Sequence, residues 1–416
     1  MKMRRILLAA LSICTFVVGA LLHRDQAVDE RAVLREMMPD RLFGEKTGAP
    51  PRYPSDGDAV AFNSYDIAPS VRGYAGPIKL LLVLGKKGTI RGIRIIEHRE
   101  TKNYVHYLET PEYLNRFIGK SIQDRFEIGR DLDGITRATV SVEALARTVR
   151  ESTRIVAMDV YGITVSGDDA PGKGSSGWIW YLLVFAAAVG GYIATRRTKT
   201  LLRLRDMSLL AGILVVGLLL SSPFSVLHVF NFALFGPSSS ALWWAIILTM
   251  AVSLAFAGRL YCGWICPFGA LSELIGRLPA RKWTIAREQD EARRRWKYVL
   301  LGGLVILVFI TRRPEYANIE TYVTLFSFHG NAMTWMLVAF ALFANVRVER
   351  FWCRYLCPVA ALTGLLARAE KGYPSRNDCP MGNRQDPAIA ECIRCNRCYA
   401  PQRDGNSSFK ANKKEG

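Results

Sequence analysis

One stretch of this chain is written twice. Arg259-Leu-Tyr-Cys262-Gly-Trp-Ile-Cys266-Pro267-Phe-Gly-Ala-Leu271 recurs 91 residues later (350 − 259) as Arg350-Phe-Trp-Cys353-Arg-Tyr-Leu-Cys357-Pro358-Val-Ala-Ala-Leu362. Each copy closes a pair of apolar segments, so the repeating unit is a hairpin that ends in C-x3-C-P. Residues four apart share a helical face, so each copy can present two thiols side by side. Proline fits the first turn of a helix and is disfavoured deep inside one, so the motif falls where a helix breaks. Two copies supply four thiolates, the usual number for a tetrahedral metal or an iron–sulfur site. Small apolar cysteines packed at a helix end are the plain alternative, and they explain the duplicated spacing poorly. Cys262, Cys266, Cys353 and Cys357 are therefore candidate ligands of one centre, with iron, an iron–sulfur cluster and copper all open.

The surrounding composition is that of a membrane protein. Half of the 416 residues are apolar, yet the net charge is +19, a pairing expected where basic loops face the cytoplasm. The charge comes in short runs beside apolar segments, not as one basic domain, which argues against a nucleic-acid partner. Ile6–Leu22 follows three basic residues and runs 17 residues without a charge, so residues 1–24 read as an uncleaved membrane anchor. Residues 30–166 are polar and mixed, an α+β domain expected outside the membrane. Within it Lys79–Leu84 and Ile90–Ile96 read as strands joined by a Gly-Lys-Lys-Gly turn. Thr110–Ile118 and Val142–Thr153 read as helices, with Ser141 as N-cap of the second, and Ile155–Tyr161 as a closing strand. Residues 167–176 have linker composition. Five more apolar segments follow, near 178–194, 207–224, 241–257, 298–310 and 332–346. They make residues 177–370 an all-α membrane domain and bring the expected total to about six spans. Counting from an inside amino end puts both C-x3-C-P motifs at the cytoplasmic edge, and residues 371–416 become a cytoplasmic tail. Most of the basic loops agree with this topology, although Arg312 and Arg313 fall outside.

The tail carries Cys379-Pro380, then Cys392-x2-Cys395-x2-Cys398. Three thiols at three-residue steps can wrap one cubane that a remote Cys-Pro completes, so one [4Fe–4S] cluster is expected there. Zinc ribbons more often show two separated C-x2-C pairs. His228 and His329 fall in expected outer loops, where imidazoles can ligate haem, line a quinol pocket or simply sit at the interface.

The soluble domain also contains Gly73-Tyr74-Ala-Gly76-Pro77-Ile78, the paired strands, His98-Arg-Glu100-Thr101, and Asp133-Gly-Ile-Thr136-Arg137-Ala138-Thr139-Val-Ser141. In that order they resemble the FMN-binding domain of NosR, RnfG and NqrC proteins. The resemblance implies a phosphoester between FMN and the hydroxyl of Thr139, made by a separate flavin transferase. Asp133, Thr136, Ala138 and Ser141 stand on matching motif positions, and Tyr74, Glu100 and Thr101 join the implied flavin site. A helix start suits a phosphodiester anion. Arg137 stands where the family usually has glycine. It either pairs with the phosphate or marks a chain in which the modification is lost.

Over roughly residues 1–400 the chain resembles the NosR/NirI and PceC-like membrane flavoproteins, and its second half resembles NapH-type quinol-linked proteins. The tail departs from NosR and NapH in having one cysteine set, not two, which leaves open the reductase system it serves. The resemblance implies an electron-transfer component of the inner membrane, embedded in lipid, and not a stand-alone enzyme. Electrons would come from quinol or a cytoplasmic reductant and reach FMN outside, supplying an exported respiratory reductase or its maturation. The alternative is a membrane redox sensor governing expression of such a reductase.

Overall fold

The computed structural model describes residues 28–71, 73, 77–98, 106–132, 139–165, 176–197, 202–238, 240–279, 281–283, 285–317, 319–367, 379–381 and 391–397. The expected anchor, Cys14, Cys398 and most of the linker lie outside them.

The first domain is built on one antiparallel sheet in the order β1 (Tyr53–Pro54), β2 (Ala59–Asn63), β3 (Lys79–Gly85) and β4 (Ile90–Glu97). The unbroken apolar run in β3 has a simple cause. Leu80, Leu82 and Leu84 enter one core with Val60 and Phe62, while Leu81 and Val83 enter another with Ala59 and Ala61. Period-two side chains can all be apolar only when both faces are covered. The first face is covered by α2 (Thr139–Tyr161), through Val142, Leu145, Val149 and Val156. The second is covered by α1 (Glu30–Met37), through the fully buried Leu34. Gly92 admits that helix: a Cβ there would stand 3.2 Å from Met37 Cε.

Two expectations for this domain need correcting. Ile155–Tyr161 is the last part of α2, not a strand, because Val156 and Ala157 continue the helical face packed on the sheet. Ser141 is not an N-cap: the helix starts at Thr139, and Ser141 lies buried in its first turn.

Glu30 fastens α1 to the sheet. Its carboxylate accepts from Asn63 Nδ2 (2.6 Å), Tyr53 OH (2.7 Å) and Lys46 Nζ (3.0 Å). Burial pushes its carboxyl up, but those three donors outweigh burial and hold it below the ordinary 4.5. A depressed folded value stabilises above the unfolded pKa and is lost as pH falls through the folded one. Glu30→Gln is therefore expected to cost about 1–3 kcal/mol at neutral pH. Thermal unfolding of the full-length protein should show that gap closing as pH falls below 4.5; a gap constant with pH would contradict the assignment.

The second domain is helical: α3 (Gly177–Arg197), α4 (Leu202–Ala211), α5 (Val226–Phe235), α6 (Ala241–Val252), α7 (Leu260–Trp264), α8 (Pro267–Gly276), α9 (Arg287–Arg294), α10 (Trp296–Thr311), α11 (Thr321–Ser327), α12 (Ala332–Arg347), α13 (Phe351–Tyr355) and α14 (Pro358–Leu366). Two runs are π-helical, Gly212–Leu219 continuing α4 and Ser253–Ala257 continuing α6. Gly212 and Gly217 are one π hydrogen-bond step apart. A Cβ at Gly212 would overlap the Ile265 carbonyl, and one at Gly217 would meet Phe326 and Pro267 at 2.6 and 2.9 Å.

Among the described residues one helix, Gly177–Arg196, is long and apolar enough to cross a membrane alone. Thr321–Ser327 and Ala332–Arg347 pass together but meet at 106°, and Ala241–Ala257 is shorter. The five expected spans after residue 177 fall wholly or largely on helices, several too short to span singly. Large apolar side chains stand exposed along these helices, among them Leu183, Leu248, Phe256, Val299, Met336 and Phe343.

Candidate redox site

Each C-x3-C-P motif folds as helix, break, helix. α7 ends at Trp264 and α13 at Tyr355, and the second cysteine of each pair then caps the helix that proline opens. Cys266 Sγ accepts from Gly269 N and Cys357 Sγ from Ala360 N, both at 3.4 Å. A helix N-terminus favours thiolate over thiol. The two cysteines of a pair thus sit on either side of a break and do not share one helical face as expected, because proline forces the break between them.

The two copies interlock. Cys262 Sγ lies 4.0 Å from Thr363 Oγ1 on α14, and Arg350 Nη1 donates to the Cys262 carbonyl at 2.8 Å. Phe268 meets Trp352 edge-on at 6.5 Å. Cys266 lies within electrostatic reach of Cys262 and Cys353, and Cys357 within reach of Cys353 and Cys266. Cys262, Cys353 and Cys357 are buried in one apolar core, and the half-buried Cys266 packs against it. Among the described residues no three His, Cys, Asp or Glu side chains are placed to hold a single metal ion.

Contacts along α4 locate the first motif. Arg205 donates to Glu273 and to the Gly263 carbonyl, and Ser208 Oγ to the Trp264 carbonyl at 3.0 Å. Gly212 then abuts Ile265, and Gly217 abuts Pro267. Cys266 thus lies well along this helix, between ~10 and ~18 Å from the level of Arg205 at 1.5 Å per residue.

The tail does not stand apart. Cys395, Ile393 and Met381 belong to the same apolar core as Cys262, Cys353 and Cys357, with Cys266 and Cys379 packed against it. The Ile393 carbonyl sits on Gly263, where a Cβ would overlap it. Trp264 Nε1 donates to the Arg394 carbonyl (2.9 Å), Arg394 Nε to the Ala257 carbonyl (3.2 Å), and Asn396 Nδ2 to Thr195 Oγ1 (2.9 Å). Arg294 reaches both Glu391 and the Met381 carbonyl. At the centre is Glu273, fully buried, which accepts from Arg205 (2.6 Å to each oxygen), Arg350 (2.8 and 3.1 Å), Arg397 (2.9 Å) and Arg277 (3.0 Å). One carboxylate ties α4, both motifs and the tail together, a link no local pattern announces.

In the first domain, Tyr74, Glu100, Thr101, Asp133, Thr136 and Ala138 lie outside the described residues, and of Thr139 only its place at the start of α2 is described. Their flanks are informative. The Gly73 carbonyl accepts from Ser238 Oγ at 3.1 Å, and His106 stacks on His329 with ring centroids 3.3 Å apart. The first flavin-motif segment thus begins against the loop that precedes α6, and the chain five residues beyond the second meets the loop that precedes α12. His329 takes part in this contact between domains. His228 is buried and takes the Ser225 N–H on Nδ1, capping α5.

Comparison with known proteins matches residues 73–153 to the FMN-binding domain family. Residues 237–286 and 328–374 each match the 4Fe–4S binding domain family, one C-x3-C-P motif in each. Protein NirI of Paracoccus denitrificans is 32% identical over 265 residues, 54% of this chain and 38% of NirI. Regulatory protein NosR of Pseudomonas aeruginosa is 32% identical over 249 residues, 50% of this chain and 34% of NosR. Ferredoxin-type protein NapH of Escherichia coli is 29% identical over 167 residues, 39% of this chain and 52% of NapH. The matched stretches thus span a third to a half of these relatives. No solved structure is significantly similar. An FMN-binding domain and paired 4Fe–4S binding domains in one polypeptide define a flavin and iron–sulfur protein. Over the matched stretches the chain is similar to NirI and NosR.

Proposed function

We propose that this protein carries electrons across a membrane, from a cytoplasmic donor or membrane quinol to an exported respiratory reductase or its maturation system. The observation that carries the reading is the seat of Ile393 on Gly263, which packs the tail segment bearing Cys392 and Cys395 against the first motif. In this reading Cys379, Cys392, Cys395 and Cys398 hold one [4Fe–4S] cluster, and Cys262, Cys266, Cys353 and Cys357 hold a second iron–sulfur centre. Thr139 holds FMN as a phosphoester, attached by a flavin transferase. Iron–sulfur centres supply one-electron storage and FMN accepts one or two electrons when bound. The chain's own residues space and insulate them: the apolar core around the thiols excludes water, and Glu273 fixes the two cysteine sets relative to each other.

Six spans, including the segment before residue 28, would carry this core in a hydrocarbon layer ~30 Å thick. The exposed apolar side chains on the helices support a lipid surround. The position of Cys266 along α4 shortens the remaining path to the far side. The contacts of Gly73 and His106 support a flavin domain seated on the outer loops. Thr139→Ala tests the flavin terminus: all acid-stable flavin on the purified protein should disappear, while the iron content stays that of the parent. Acid-stable flavin retained in the variant would overturn the anchor.

A further inference from the structure

The repeat contains more than cysteines. Arg259 and Arg350 occupy the same offset, three residues before the first cysteine of each copy, and both are buried, 1% and 0% exposed. Their surroundings differ in a way that matters. Arg350 is satisfied: Nε and Nη2 donate to Glu273 Oε2 and Nη1 to the Cys262 carbonyl. Arg259 is not. Nη1 makes a 3.3 Å bond to the Glu391 carbonyl, while Nε and Nη2 have no hydrogen-bond partner. The nearby Glu391 carboxylate is already taken by Lys297 (2.7 Å), Arg294 (2.9 Å) and Tyr298 (3.2 Å).

A guanidinium cannot shed its proton, and a buried charge without a partner costs several kcal/mol. Glu391 lies within electrostatic reach of Arg259 but is shared with Lys297 and Arg294, so Arg259 is left under-compensated. The groups within its electrostatic reach include one thiol from each repeat, Cys262 and Cys357. Arg350 in turn lies within reach of Cys353 and Cys266. Between them the two arginines flank all four thiols. Four thiolates outweigh the positive iron–sulfur core, so the unit is an anion, and it becomes more negative on reduction.

We propose that Arg259 and Arg350 are paired counter-charges of the iron–sulfur centre held by the two motifs, and that Arg259 is the positioning residue that raises its reduction potential. The inference rests on the cluster reading above. Reduction adds one electron, makes and breaks no bond, and leaves the guanidinium protonated. Arg350 has its donors committed to Glu273 and the Cys262 carbonyl, so the guanidinium with N–H groups left to face the added electron is that of Arg259.

The test is a dithionite titration of purified full-length protein, followed by electron paramagnetic resonance, with the tail cluster as internal reference. Arg259→Gln should lower the midpoint of the motif centre enough to change its reduced-to-oxidised ratio at least tenfold at fixed potential, 59 mV for a one-electron couple. Arg259→Lys should recover most of that shift. Loss of the motif centre in Arg259→Gln with retention in Arg259→Lys would support the same role, since charge is what the two variants do not share. An unchanged midpoint at full iron content in Arg259→Gln, or loss of the centre in both variants, would overturn it. Failure of the underlying reading has its own signature: Cys353→Ser would then contain as much iron as the parent.

Discussion

Gly263→Ala should unseat the tail. The added methyl would occupy the position of the Ile393 carbonyl, and neither side can yield cheaply. Gly263 lies in α7 between Cys262 and Trp264, and Ile393 is held by the bonds its neighbours Arg394 and Glu391 make to Trp264, Ala257 and Arg294. Overpacking of this kind typically costs 1–3 kcal/mol or more, and here it falls on backbone. The expected result is loss of the tail cluster, with about half of the iron gone, and new protease sensitivity around residues 391–397. Gly302→Ala is the control. Gly302 lies in α10 with nothing near its would-be Cβ, so alanine there should be neutral or stabilising by about 1 kcal/mol. Equal iron content in the two variants would contradict the docking geometry.

Glu273→Gln should produce the largest loss of stability. The amide keeps the volume but removes the charge that Arg205, Arg350 and Arg397 converge on, leaving buried guanidiniums uncompensated. Breaking a buried pair by removing one partner costs about 3–5 kcal/mol, and here one carboxylate serves several partners. Thermal unfolding of the detergent-solubilised protein should register that loss, accompanied by loss of both iron–sulfur signals, because Glu273 spans both motifs and the tail. A change within about 0.5 kcal/mol would place Glu273 among ordinary surface-like substitutions and contradict its role as the tie between elements.

What could be read from residues alone depended on how local the cause was. The hairpin of β3 and β4 was legible because Leu80–Leu84 and the Gly-Lys-Lys-Gly turn carry their own signals. The helix at Ile155–Tyr161 was misread because Ile155, Val156 and Val160 favour strands in isolation, while packing of Val156 and Ala157 on the sheet decides otherwise. Nothing near Glu30 announces that its helix covers the second face of that sheet, because its partners Tyr53 and Asn63 are distant in sequence. The repeated cysteines were legible as a pair of motifs, but not their approach, which depends on Arg350 reaching back to Cys262. The tail looked like a separate appendage because its anchor points, Gly263, Trp264 and Thr195, lie more than a hundred residues away. The arginines before each cysteine pair were visible in the repeat, yet only burial and the missing partners of Arg259 give them a task.

The proposed wire makes one demand that no separate set of cofactor sites would make: the flavin must depend on the cysteines for its electrons. Inverted membrane vesicles, loaded with the protein and given a membrane-impermeant reductant from the cytoplasmic face, measure this directly. Flavin absorbance should bleach in the parent, whereas a Cys357→Ser variant that retains its flavin should bleach slower by orders of magnitude. Bleaching at the same rate in both would mean that electrons reach the flavin without the paired motifs, and the account would be wrong.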